Sequence, residues 1–158
     1  MDSRRRQVLK SGSGATLLVM LSAAGWLKPG EAIAADGWNQ SAFEAHSLDE
    51  TVKAMGGSAP TQSGGVTFFQ TPDIAENGAV VPIGVTSAIP KTESIAILVE
   101  KNPNMLAAIF DIPVGTDPSL STRVKMAQTS NVYALVKADG KFYMASKEIK
   151  VTLGGCGG

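Results

Sequence analysis

Val132-Tyr133-Ala134-Leu135-Val136-Lys137-Ala138, Asp139-Gly140, Lys141-Phe142-Tyr143-Met144-Ala145-Ser146 reads as two strands joined by a two-residue turn. Asp-Gly suits a type I′ turn, whose two central residues both need positive φ, and that turn folds a chain back antiparallel. Working upstream, Ser94 to Glu100 (SIAILVE) is a run of Ile, Leu and Val that looks buried on both faces. After an Asn102-Pro103-Asn104 turn, Leu106 to Ile112 alternates, with Leu106, Ala108, Phe110 and Ile112 pointing one way, so a second hairpin is expected. Thr122, Val124 and Met126 alternate with Arg123 and Lys125, as on a half-exposed strand. Further upstream, Val66 to Phe69 is a short strand and Pro72 to Gly78 (PDIAENG) a turn region ending in Asn-Gly. Ala79 to Thr86 follows as a strand in which Pro82 favours an edge or a bulge. Downstream, Ile149, Val151 and Leu153 alternate with Glu148, Lys150 and Thr152 in a last strand. Seven or eight short strands with turn chemistry between them predict a mainly β chain, an antiparallel immunoglobulin-like β-sandwich. No βαβ alternation is visible, so a parallel sheet is not expected.

The amino-terminal part reads differently. Residues 36–55 carry the helical pattern, with Trp38, Ala42, Phe43 and Ala45 on one face. Ser47-Leu48-Asp49-Glu50 is a capping box ahead of Val52 and Met55, and Gly56-Gly57 stops the helix. Two short helices, or one kinked near His46, are expected, packed onto the body through their aromatics. Gly56 to Gly65 reads as a polar linker. Arg4, Arg5 and Arg6 precede an apolar run from Gly12 to Leu27 and a small-x-small pattern at Ala32-Ile33-Ala34. That is the three-part order of a signal peptide, residues 1–34, cleaved after about Ala34. Arg5-Arg6-Gln7-Val8-Leu9-Lys10 fits the twin-arginine route. The run is short for a membrane span and holds three glycines, so no membrane anchor is expected after cleavage.

Cleavage would remove five of the 14 Lys and Arg and two of the 14 Asp and Glu, leaving nine against twelve. No basic patch remains to bind nucleic acid. The sole cysteine, Cys156, is the third residue from the end, with Gly154 and Gly155 before it and Gly157 and Gly158 behind. An unpaired cysteine in an exported chain points to an intermolecular bond or a reactive thiol. Four glycines give the segment 154–158 nothing to pack with, so a flexible arm on a domain of residues 36–153 is expected. Leu153 marks its attachment. Such an arm reaches roughly 17 Å at about 3.3–3.6 Å per residue.

The spacing required for a dithiol redox centre, a zinc site, a phosphate loop or a dinucleotide fingerprint is absent from the sequence. No metal and no cofactor is therefore expected. His46, the only histidine, lies in the helical segment with nothing to orient it toward the tail. A thiol near its reference pKa of about 8.5 is only a few per cent thiolate at neutral pH. Cys156, without a cationic neighbour in the arm, suits a carrier worked on by another active site better than a self-activated catalyst.

The tail Val151-Thr152-Leu153-Gly154-Gly155-Cys156-Gly157-Gly158 closely resembles the GGCGG carrier tail of the SoxY sulfur-carrier family of bacterial thiosulfate oxidation. Pro72 to Gly78 with Val81-Pro82, the Lys101-Asn102-Pro103-Asn104 turn and Ser121 to Gln128 (STRVKMAQ) support the resemblance. It implies an immunoglobulin-like sandwich paired with a second small β protein, SoxZ, in the periplasm. It also implies covalent attachment of sulfur at Cys156. A haem enzyme (SoxXA) would join thiosulfate to the thiol, a dinuclear manganese hydrolase (SoxB) would release sulfate, and in some organisms a sulfane dehydrogenase would oxidise the remaining sulfur. The carrier itself would not be an enzyme. The exposed side of Ser121–Met126, with Arg123 and Lys125, is a candidate face for the partner subunit.

Two other readings fit parts of the sequence. An exported β-sandwich interaction module could dimerise through Cys156. A Gly-Gly carboxyl end also terminates carriers that are activated by ATP to a thiocarboxylate, which an export signal and a cysteine before the Gly-Gly disfavour.

Overall fold

A computed structural model describes residues 39–152. The segment read as a signal peptide, Trp38, Leu153 and the arm from Gly154 to Gly158 lie outside the described residues. Two helices, α1 (Gln40–Phe43) and α2 (Leu48–Ala54), precede nine strands among the described residues. The strands are β1 (Thr61–Gln62), β2 (Val66–Phe69), β3 (Ile74–Ala75), β4 (Val81–Ser87), β5 (Thr92–Val99), β6 (Leu106–Asp111), β7 (Ser119–Val124), β8 (Ser130–Ala138) and β9 (Lys141–Val151).

The Asp-Gly turn forms as expected. Asp139 has φ 51° and Gly140 φ 72°, and β8 pairs antiparallel with β9 from Ala138↔Lys141 to Ser130↔Ile149. β5 pairs with β8 and β6 with β5, both antiparallel. The larger sheet runs β1-β9-β8-β5-β6, with β3 also beside β9; the smaller runs β2-β4-β7. The two face each other across one core that holds Val81, Ile83 and Val85 of β4, Ile95, Ile97 and Val99 of β5, and Val132, Ala134 and Val136 of β8. The result is the immunoglobulin-like sandwich.

A second apolar cluster lies on the other face of the larger sheet. There Ala96, Leu98, Leu135 and Phe142 meet Ala42 and Val52 of the helices, with Phe43 packed alongside. This explains why SIAILVE is buried on both sides: alternate residues face the sandwich core and the helices. The helical segment is two helices, broken between Phe43 and Leu48. Ser47 Oγ accepts from Glu50 N at 3.2 Å, while Glu50 Oε2 accepts from His46 N at 3.1 Å. That reciprocal pair is the expected capping box, shifted one residue at its return bond. Gly56, at φ +80°, turns the chain out of α2.

Four local expectations need correction. Leu106 does not share a face with Phe110 and Ile112. The pairing skips Ala107, from Ile97↔Ala108 to Leu98↔Leu106. Such a bulge flips every residue beyond it to the other face, so Leu106 joins the helix cluster while Phe110 packs on the sandwich core. The two strands expected at 141–146 and 149–153 are one, because Lys147 and Glu148 pair normally with Val132 and Asn131. Short parallel pairings do occur: β1 beside Tyr143 and Met144, and β3 beside Lys150 and Val151. They cover the outer edge of β9, and with β1 the segment read as a linker gains a strand. The β4 strand starts at Val81 rather than Ala79, because Asn77 Oδ1 accepts from Ala79 N at 2.9 Å and prolongs the turn. Pro82 fits the edge rule locally: β2 reaches only Gly84 along β4, so at Pro82 β7 is the sole neighbouring strand.

Candidate functional site

Cys156, Gly154, Gly155, Gly157 and Gly158 lie outside the described residues, so the site is built from what holds the chain just before them. At the end of β9 each successive backbone N–H has a partner, on alternating sides as a strand requires. Lys150 N donates to Asp73 O at 2.9 Å and Thr152 N to Ala75 O at 3.1 Å, both on the β3 side. Val151 N donates the other way, to Thr129 Oγ1 at 3.0 Å, so a side-chain hydroxyl extends the β8 ladder one step beyond Ser130. The Val151 side chain packs against the sandwich core. Up to Val151, five residues before the thiol, the chain is therefore held on both sides, and at Thr152 still on the β3 side.

The pieces that hold it come from three distant stretches. The first is Pro72 to Gly78, which supplies β3. Lys147 fixes its start: Nζ donates to Thr71 O at 2.5 Å and sits 3.0 Å from an Asp73 carboxylate oxygen. Gly78 fixes its end, with Met126 N donating to Gly78 O at 2.7 Å. A Cβ at Gly78 would lie 2.5 Å from Met126 O and 2.9 Å from Val151 Cγ1, so only glycine lets this backbone come so close to the Met126 carbonyl and the Val151 side chain. The second stretch runs from the end of β7 to Thr129, with Met126 buried below it. The third is the 101–104 turn. Asn102 Nδ2 donates to Lys125 O at 2.7 Å, and Asn102 Oδ1 accepts from Ala127 N at 3.3 Å. All three of the stretches that carry the sequence resemblance therefore meet at the end of the sandwich where β9 finishes.

His46 belongs to this end as well, which sequence reading did not foresee. It is exposed, and its Nδ1 lies 2.9 Å from Pro103 O, in the same turn. A carbonyl can only accept, so Nδ1 carries the proton there. Arg123 and Lys125, the candidate partner-facing cations, are exposed, Arg123 opposite Pro82 on β7. Tyr133 on the helix-facing side of β8 has its phenol held above its ordinary pKa, first by burial and then by the Glu100 carboxylate. Thr129, Lys147, Asp73 and Gly78 went unmarked in the sequence as anchors. Gly78 stood inside a recognised turn, whereas Thr129 and Lys147 act through long-range bonds that leave no local pattern.

Among the described residues no group of His, Cys, Asp or Glu could hold a metal ion, and no helix is long and apolar enough to cross a membrane. Comparison with curated protein sequences gave no match. The family profile "Sulfur oxidation protein SoxY" matches residues 52–156. Among solved structures, the sulfur carrier protein SoxY from Chlorobium limicola f thiosulfatophilum is 39% identical, with a TM-score of 0.60 over 67% of this chain and 96% of that one. A chain from a structure of the bacterial superantigen toxic shock syndrome toxin-1 follows at 14% identity and TM-score 0.40, over 56% of this chain and 100% of that one. The latter likeness is too weak to bear on fold or function. The profile match takes in the tail cysteine and the SoxY likeness covers nearly all of the Chlorobium chain: the chain belongs to the SoxY family of sulfur-oxidation carrier proteins.

Proposed function

We propose that this chain is a periplasmic sulfur carrier that holds thiosulfate-derived sulfur covalently on Cys156. Beyond family membership, the observation that supports the reading is the construction around Lys150–Thr152. The β3 segment and Thr129 hold the chain in hydrogen bonds up to Thr152, four residues before the thiol, and the 101–104 turn braces the segment that leads to Thr129. A tether attached in this way delivers its end to a defined volume of space.

In this reading residues 1–34 are a twin-arginine signal, 36–153 the carrier domain, and Gly154 to Gly158 a swinging arm without side-chain bulk around Cys156. Loading forms a sulfur–sulfur bond between Sγ and the sulfane sulfur of thiosulfate. The thiol proton is released, and two electrons pass to a haem enzyme of the SoxXA type. A SoxB-type hydrolase then adds water to the terminal sulfonate; sulfate leaves, and a persulfide remains on Cys156. A sulfane dehydrogenase, where present, oxidises that sulfur so that a second sulfate can be released. The carrier pairs with a SoxZ-like β protein and needs no cofactor of its own, since the redox and hydrolytic groups are those of its partners.

The test is intact mass after incubation with thiosulfate and the haem enzyme. One thiosulfate is expected on Cys156, and Cys156→Ser should lose both the adduct and thiosulfate oxidation. Full activity of Cys156→Ser, or a thiocarboxylate on Gly158, would overturn the proposal.

A further inference from the structure

Of the five asparagines in the sequence only Asn77 is followed by glycine. The Cγ of an asparagine is open to attack by the backbone nitrogen of the next residue. A side chain on that residue is the main steric obstacle, and glycine has none. Asn39 precedes Gln40, Asn104 precedes Met105 and Asn131 precedes Val132, while Asn102 precedes Pro103, which has no N–H to give up. At Asn77 the three groups the reaction needs are all in place. The residue is exposed, and its Nδ2, which leaves, has no hydrogen-bond partner among the described residues. The Gly78 nitrogen, which attacks, has none either. Asn77 Oδ1, on which negative charge gathers as the new bond forms, already accepts from Ala79 N at 2.9 Å. A backbone N–H aimed in advance at a developing oxyanion lowers the barrier to acyl transfer. Asp139-Gly140 differs, because Gly140 N donates to Glu93 Oε1 at 3.2 Å and is tied up.

The atoms balance without any reagent but water. The Gly78 N–Cγ bond forms and the Cγ–Nδ2 bond breaks. The Gly78 amide proton goes to the leaving nitrogen, which departs as ammonia and leaves a five-membered imide. Water then opens the ring at either carbonyl, and no electrons change hands. Opening at Cγ gives aspartate. Opening at the main-chain carbonyl gives isoaspartate, in which the backbone runs through Cβ and Cγ and is one methylene longer. That methylene enters beside the one residue with no room for a Cβ, against Met126 O at 2.5 Å and Val151 Cγ1 at 2.9 Å. The Asn77 carbonyl that accepts from Val80 N at 3.3 Å becomes a carboxylate outside the main chain. The bond from Met126 N to Gly78 O, 2.7 Å long, then hangs from a lengthened loop.

We propose that Asn77-Gly78 is a site of spontaneous self-modification, an imide-forming pair that converts Asn77 to aspartate and isoaspartate in the folded protein, and that the isoaspartate form loosens the hold on the end of β9. The proposal needs no partner protein and does not rest on the role of Cys156. A chain altered in this way keeps its cysteine and loses the packing at Gly78 that fixes Val151.

The experiment holds the purified full chain at neutral pH and follows it over days by intact mass. Digestion then locates the peptide in which NH2 has been exchanged for OH, and enzymatic methylation of isoaspartyl carboxylates separates the two products. Asn77 should convert several-fold faster than any other asparagine, and no more slowly in the folded chain than in the same chain unfolded in urea. Asn77→Ser keeps an acceptor for Ala79 N but carries no amide, and its loop should acquire neither the mass change nor isoaspartate. Amide exchange at Met126, Val151 and Thr152 should rise several-fold in the isoaspartyl fraction. Asn77→Asp, which brings the charge without the methylene, should exchange like the unaltered chain. Conversion seen only in urea would overturn the proposal, since the fold would then be protecting Asn77. Equal exchange in the isoaspartyl fraction and in Asn77→Asp would overturn the loosening.

Discussion

At Gly78 a single missing methyl group decides whether the base of the arm can form. The Met126 carbonyl and the Val151 side chain occupy the space a Cβ would need, and one of them is main chain. Gly78→Ala should therefore cost roughly 1–3 kcal/mol, the range for overfilling a packed site. Amide exchange at Val151 and Thr152 should accelerate more than at Val136. Unchanged melting with unchanged exchange would show that the loop can shift aside freely. Residues of this kind differ in how far sequence displays them. Cys156 announces itself, being the sole cysteine and set among glycines. Thr129 is one threonine among several, and its bond to Val151 joins positions 22 apart. No local pattern encodes such a pairing; it exists only once β8 and β9 are in register.

Elements were legible where their own residues set their geometry. Asp139-Gly140 was readable because positive φ at two successive positions demands those residue types. The capping box was readable because its partners lie three or four residues apart. Replacing Ser47 by Ala removes the acceptor for Glu50 N and should cost about 1 kcal/mol, typical of a lost N-cap. Denaturant titration checks this; a loss near zero would mean that packing of Val52 alone sets α2. Elements were illegible where geometry comes from a neighbour. β1 and β3 have two residues each, too few to show a period, and form because β9 offers an open edge. The bulge at Ala107 was hidden because Leu106-Ala107-Ala108-Ile109-Phe110 is apolar at every position, so alternation could be read in either phase.

Residues 39–152 are layered: helices, larger sheet, smaller sheet, with an apolar cluster on each face of the middle layer. Leu98 and Ile97 are adjacent, wholly buried, and committed to opposite clusters. Leu98→Ala should therefore destabilise by about as much as Ile97→Ala, some 2–5 kcal/mol each. Both variants should unfold in one transition followed at helix and strand wavelengths alike. A separate early helical melt in Leu98→Ala would mean that α1 and α2 form an appendage rather than a layer. Sequence gave the sandwich correctly, because strand count and turn chemistry determine it. It left the destination of the helices open, since an amphipathic face does not say which surface it covers. The path of β9 has a mechanical consequence. A pull applied at Thr152 along the strand's own axis is directed away from the Asp-Gly turn. Tension in that direction loads the hydrogen bonds to β8 in shear, all together, rather than peeling them open one at a time. The sandwich then acts as a stiff anchor for the chain that continues from Thr152.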